Sequence, residues 1–288
     1  MTAALGSILG WVACAPAFVQ ENERLARQFL EEHPDAARVI LPSAERRRPL
    51  GYVASGNPEK PKVVFIHGSP GSWKAFARYL DDAELRSRAY LIAVDRPGYG
   101  ESGAGDPERS VLRQAELIRQ VFEIGDPRQP VILLGHSYGG PVAAQLAMTD
   151  DDRIRRLIVV AGSVDPTLEK TKWIQYPADW WLFRWLVPTD LDVCNQEILA
   201  LKPELVRMLP DWSKIRASVH VIHGEQDDLV PVANAAFIES RTTHVATRTQ
   251  RIADLNHFVP WLRYDLLHDA VIAALDALDA LPDSPHSP

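Results

Sequence analysis

The sequence predicts an α/β fold, a mostly parallel, doubly covered sheet with a helical cap inserted late in the chain. Short apolar runs of strand length alternate with helix-prone segments from Lys62 onward, the pattern of strands joined by crossover helices. The stretch Val131 to Met148, VILLGHSYGGPVAAQLAM, passes from a buried-strand run through a glycine-rich turn into an alanine-rich helix. Between Val164 and Trp212 the alternation stops, in a segment cut by five prolines that carries five of the chain's eight tryptophans.

Taken in order, the first twenty residues carry no charged side chain. They fall slightly short of the roughly 20 apolar residues that span a bilayer, Pro16 interrupts them, and they lack the basic region of a secretory signal. Small residues before Cys14 loosely resemble a bacterial lipoprotein cleavage site, although Trp11 is unusual there. The segment is therefore a candidate signal or membrane anchor with Cys14 a candidate lipid carrier, the alternatives being a short helix packed on the domain or a start codon chosen in the wrong place. Cytoplasmic and bacterial cell-envelope locations both stay open.

Glu21 to Pro34 is charged and helix-prone, Val39 to Leu41 and Tyr52 to Ala54 are the first short strands, and Arg46 to Arg48 reads as a solvated connection. Lys62 to Ile66 is a buried strand running into the loop His67-Gly68-Ser69-Pro70-Gly71 and a helix over 72–80. Tyr90 to Val94 leads to Asp95 to Ser102 and a helix over 107–122. Leu157 to Ala161 and Val219 to Ile222 continue the sheet, followed by a helix over 232–240, a strand over Val245 to Thr249 and a final helix over 265–281. The chain thus divides into the segment 1–20, a core built from 21–163 and 213–288, and a cap over 164–212.

Composition narrows the function. A net charge of -7 opposes nucleic-acid binding and a polybasic membrane patch. Cys14 and Cys194 are too far apart in unlike surroundings to suggest a disulfide framework, and no His or Cys cluster has metal-ligand spacing. Neither a metal nor another cofactor is expected, the partner is a small-molecule substrate, and the oligomeric state is not encoded in any visible pattern.

Chemistry centres on Ser137. In Gly135-His136-Ser137-Tyr138-Gly139, a side chain at either glycine would collide where strand and helix cross, and the turn forces the serine into strained backbone angles at a helix N-terminus. A serine hydroxyl needs a general base, and the base needs a carboxylate to set its tautomer. Asp227 follows the strand Val219 to Ile222 at the expected distance, and His257 lies in the loop after the strand Val245 to Thr249. Asp228 and Asp165 are the rival acids. His67 and His223 read as structural, and the side chain of His136, next to the nucleophile, should point away from Ser137.

The motifs resemble those of the α/β-hydrolase superfamily, in its cap-bearing branch of esterases, epoxide hydrolases, haloalkane dehalogenases, haloperoxidase-like enzymes and proline iminopeptidases. His67 to Gly71 is similar to its oxyanion loop, Asp95 to Ser102 to its DRPGxGxS turn, Gly135 to Gly140 to its GHSxGG elbow, and Gly224 to Pro231 to its GxxDxxVP acid loop. The resemblance implies that Ser137, His257 and Asp227 form a catalytic triad, with the backbone N–H groups of Ser69 and Tyr138 as the oxyanion hole. It leaves open whether the Ser69 hydroxyl assists. Epoxide hydrolases and haloalkane dehalogenases carry aspartate at the elbow, whereas serine suits acyl carbons. The expected function is hydrolysis of carboxylic esters with small to medium apolar acyl or alcohol groups through an acyl-enzyme.

Trp180, Trp181, Phe183 and Trp185 are candidate pocket residues, or else the cap's own small core. A proline-iminopeptidase-type aminopeptidase is an alternative, with Glu169, Asp179, Glu197 or Glu204 holding the substrate's amino group. A non-catalytic ligand receptor is another. Thioesterase, perhydrolase and carbon-carbon hydrolase chemistry would use the same triad.

Overall fold

The computed structural model describes the backbone of residues 2–42, 48–149, 151–169 and 188–280, with side chains from residue 17 onward, Pro42 apart. An eight-stranded sheet in the order β1-β2-β4-β3-β5-β6-β7-β8 organises it. Its strands are β1 (Ala37–Pro42), β2 (Pro49–Gly56), β3 (Lys62–Ile66), β4 (Tyr90–Val94), β5 (Val131–His136), β6 (Ile154–Val160), β7 (Ser218–Gly224) and β8 (Thr247–Ile252). The first two strands pair antiparallel and β2 pairs antiparallel with β4; every later pairing is parallel. All parallel strands therefore point their C-terminal ends to one edge, where loops after β3, β5, β7 and β8 meet.

Every residue of β3, β4 and β5 is buried, as expected of strands covered on both faces. Because side chains alternate, Val64, Ile66 and Leu133 join one hydrophobic layer while Val63, Phe65 and Leu134 join the other. The helices α1 (Thr2–Glu32), α2 (Ala77–Asp81) and α3 (Ala83–Arg88) lie early in the chain, followed by α4 (Val111–Ile118) and α5 (Gly139–Ala147). The described part of the region expected to form the cap contains α6 (Thr189–Met208) and a 3₁₀ turn over Leu209–Lys214, and no strand. The chain closes with α7 (Ala233–Arg241), α8 (Val259–Leu262) and α9 (Tyr264–Asp279).

Three sequence expectations change here. The N-terminal segment is not a separate unit of twenty residues: α1 runs unbroken to Glu32 with Pro16 inside it. Ala26 and Phe29 of α1 are buried in the core, so its second half is a layer of the domain. No helix among the described residues is long and apolar enough to cross a membrane. The last strand starts two residues later than expected, at Thr247, because the Val245 amide closes a turn onto the Thr242 carbonyl. β8 is an edge strand with no fully buried residue, so no apolar run marks it. Finally, the helix expected over 107–122 starts at Val111, where the Ser110 side chain accepts from the Arg113 amide, and tightens to 3₁₀ over Arg119–Glu123.

Candidate active site

The turn between β5 and α5 needs both flanking glycines. A Cβ at Gly135 would stand 2.2 Å from the Gly139 carbonyl oxygen, and one at Gly139 would stand 2.2 Å from the Ile66 carbonyl oxygen. Ser137 adopts φ 54°, a left-handed conformation uncommon for a residue with a side chain. Backbone hydrogen bonds hold it there: Ser137 N donates to the Val160 carbonyl and Gly140 N donates to the Ser137 carbonyl, each at 2.9 Å. The hydroxyl is thereby lifted off the sheet edge at the start of α5.

Asp227 and His257 converge on it. Ser137 Oγ lies 2.9 Å from His257 Nε2, and His257 Nδ1 lies 2.7 Å from Asp227 Oδ2. The Asp227 carboxylate is fixed from its own loop, Oδ1 accepting from the amides of Leu229 and Val230 at 2.9 and 2.8 Å. Burial would raise its pKa, but hydrogen bonds from His223 and His257 outweigh burial and hold the carboxyl well below the usual range. With Asp227 ionised, the imidazole keeps its proton on Nδ1 and presents a lone pair at Nε2 to the serine.

The rival acids lie elsewhere. Asp228 is exposed. Asp165 closes its own turn, accepting from the Thr167 amide and hydroxyl at 2.8 Å.

The other histidines brace the loops. His136 does not simply turn away from Ser137: its Nε2 donates to the His257 carbonyl at 3.1 Å, and the two rings lie 4.9 Å apart. Burial, then the neighbouring His257, lower the His136 pKa to about 3, so it braces the loop as a neutral ring. His223 Nε2 donates to the Val230 carbonyl at 2.9 Å and also faces Asp227 at 3.3 Å. His67 accepts from the Arg96 amide through Nε2 and donates to the Gly68 carbonyl through Nδ1, pinning the loop after β3 to the loop after β4.

Sequence reasoning missed the most heavily bonded part of this edge. Arg96 and Glu197 are both fully buried, their nearest atoms 2.6 Å apart. Arg96 also donates from Nε to the His67 carbonyl at 2.8 Å and from its guanidinium to the Gly68 carbonyl at 3.0 Å. Gln114 donates to Glu197 at 2.9 Å, and the Ser69 and Tyr99 hydroxyls do so at 2.7 and 2.8 Å. The Ser69 hydroxyl is thus held toward α6 by a carboxylate.

This corrects the amino-group role considered for Glu197 and Glu204. The first is consumed by Arg96, while Glu204 accepts from the Val111 amide at 3.0 Å and pairs with Arg207. Glu169 accepts from the Ser163 hydroxyl, and Asp179 lies outside the described residues. A signal for Arg96 existed in its place within the DRPGxGxS-like turn Asp95 to Ser102, but nothing in the polar helix α6 marks Glu197 as its partner.

Trp180, Trp181, Phe183 and Trp185 lie outside the described residues, as does the side chain of Cys14. Trp212 belongs to the core, 2% exposed and edge-on to Phe237 at 5.5 Å. Above Ser137 and His257 opens a cavity of about 440 Å³, walled in part by Ser69, Trp73, Phe258 and Trp261. Phe18 and Val19 of α1 line it as well, a placement that composition could not show.

Comparison with known proteins agrees with this architecture. The mouse (Mus musculus) protein named epoxide hydrolase 4 is 33% identical over 111 residues, covering 38% of this chain and 30% of that protein. The match thus spans less than a third of that relative's length. Among solved structures, an esterase from Exiguobacterium antarcticum superposes with a TM-score of 0.65 at 18% identity, covering 83% of this chain and 100% of that one. A bacterial membrane phospholipase A superposes with a TM-score of 0.62 at 17% identity, covering 98% and 100% respectively. At these identities the structural likeness speaks for the fold alone. The model of the alpha/beta hydrolase family matches residues 63–274, a span holding Ser137, Asp227 and His257, and the chain therefore belongs to that family of hydrolases.

Proposed function

We propose that the protein hydrolyses carboxylic esters through an acyl-enzyme on Ser137. The observation that carries this reading is the continuous chain from Ser137 Oγ to His257 at 2.9 Å and from His257 to Asp227 at 2.7 Å, at a serine held at φ 54°. Ser137 Oγ attacks the ester carbonyl carbon while His257 Nε2 takes its proton, and Asp227 stabilises the resulting imidazolium. The tetrahedral oxyanion is met by the amides of Ser69 and Tyr138, neither of which donates to another group among the described residues. Collapse expels the alcohol, protonated by His257. Water then attacks the acyl group with His257 again as base, and the acid is released.

Serine at position 137 separates this chemistry from the aspartate attack that resemblance implies for epoxide hydrolases. The aminopeptidase alternative loses support because Glu197 and Glu204 are bound internally. The test is turnover of p-nitrophenyl butyrate by the purified protein and by Ser137→Ala. The expected loss is about a millionfold in kcat, to the background left by binding and the oxyanion donors. Unchanged activity in the variant would exclude Ser137 as nucleophile.

A further inference from the structure

The helix α1 is a wall of the catalytic cavity. The Phe18 ring stacks on Phe258, the neighbour of His257, with centroids 4.8 Å apart, and lies 5.6 Å from the Trp261 ring. Asn22, one turn further on, accepts from Trp261 Nε1 at 2.7 Å, fastening α1 to α8, the short helix that follows the loop carrying the base. Ala26 and Phe29 anchor the same helix in the core at 2% and 1% exposure. The wall is therefore fixed at its base and reaches the cavity at Phe18 and Val19.

Its chemistry points to an apolar chain and away from an anionic one. Phe18, Val19, Phe258 and Trp261 form an apolar side, and Val19 remains 57% exposed at the mouth. Among the described lining residues both cations are already neutralised, Lys74 by Glu23 and Arg38 by Glu101, each at 2.6 Å. No cation there is left to receive an anionic group, whereas an alkyl chain would cover apolar surface that water now meets.

We propose that α1 receives the alkyl chain of the substrate and that Phe18 and Val19 set which chain lengths are turned over. This rests on the ester-hydrolase reading of Ser137 and assigns its substrates as esters with an apolar chain longer than acetyl. Phe18 supplies the contact beside the catalytic histidine, and Val19 extends it outward.

The test compares kcat/KM for p-nitrophenyl acetate, butyrate and octanoate in the wild-type protein, Phe18→Ala, Phe18→Leu and Val19→Asp. The wild-type protein is expected to prefer octanoate to acetate. Phe18→Ala is expected to lower the octanoate-to-acetate ratio about tenfold, with Phe18→Leu restoring most of it. Val19→Asp, at an exposed position compatible with folding, is expected to lower the same ratio about threefold or more. A wild-type preference for acetate, or a ratio unchanged in both Phe18→Ala and Val19→Asp, overturns the proposal.

If the wild-type protein cleaves none of these esters, the ester reading fails and the wall is judged without turnover. Calorimetry with 2-decanone is then expected to show binding weakened about fivefold or more in Phe18→Ala. Equal binding, or none in the wild-type protein, overturns it.

Discussion

Two buried carboxylates fix the loops around Ser137, and the difference between them lies in the partner each has been given. Asp227, at the loop after β7, meets the imidazole of His257 at 2.7 Å. Glu197, on α6, meets the guanidinium of Arg96 at 2.6 Å. An imidazole gains and loses a proton near neutral pH, whereas a guanidinium stays charged. The first pair is therefore suited to moving a proton, and the second to holding the Gly68 and Ser69 loop in place through fixed charge.

The largest expected contrast comes from the proton-moving pair. Asp227→Asn keeps the shape but offers a weaker and differently oriented partner to His257 Nδ1, and should cut kcat on p-nitrophenyl butyrate about 10⁴-fold. A melting temperature close to wild type would show that the loss is chemical. Glu197→Ala should invert that pattern. It leaves the Arg96 charge buried without its partner and should destabilise the fold by about 3–5 kcal/mol, measured by urea unfolding. Glu197→Gln, which keeps one acceptor oxygen for Arg96, should recover part of that stability. An Asp227→Asn variant that unfolds while Glu197→Ala does not would break the distinction between the two pairs.

The smallest effect concerns His136, which sharpens the picture of the bracing around His257. Its folded pKa, lowered chiefly by burial to about 3, lies below the unfolded value of about 6.5. The unfolded chain therefore takes up a proton that the folded chain refuses. The stability tied to neutral His136 is complete above pH 6.5 and is lost progressively as pH falls toward 3. His67, also lowered by burial, acts in the same direction. His136→Gln should flatten the fall in unfolding free energy between pH 7 and pH 4.5, although His67 keeps part of the slope. A slope equal to wild type would show that His136 carries none of it.

Much of the sheet was legible because β3, β4 and β5 are built around short apolar runs buried on both faces. The Ser137 turn was legible because Gly135 answers a steric demand within five residues, set by the Gly139 carbonyl, whereas the demand on Gly139 comes from Ile66 across the sheet. Asp227 and His257 were located from strand ends, and the error over β8 did not displace His257 from the loop that follows it. Contacts made across the fold were not legible. Arg96 and Glu197 are 101 positions apart, and α6 is polar enough that Glu197 looks like a surface charge until the tertiary structure buries it. Phe18 was hidden differently: an uncharged opening segment reads as a candidate signal or anchor, and only the packing of Ala26, Phe29 and Asn22 shows that α1 reaches the cavity above Ser137.

The account stands most directly on whether Ser137 becomes acylated. Rapid-quench mass spectrometry of the protein mixed with p-nitrophenyl butyrate, followed by peptide mapping, should find one butyryl group on the peptide containing Ser137. The adduct should accumulate when His257→Ala slows its release and be absent from Ser137→Ala. A butyryl group on another residue, or hydrolysis with no adduct at any time, would contradict it.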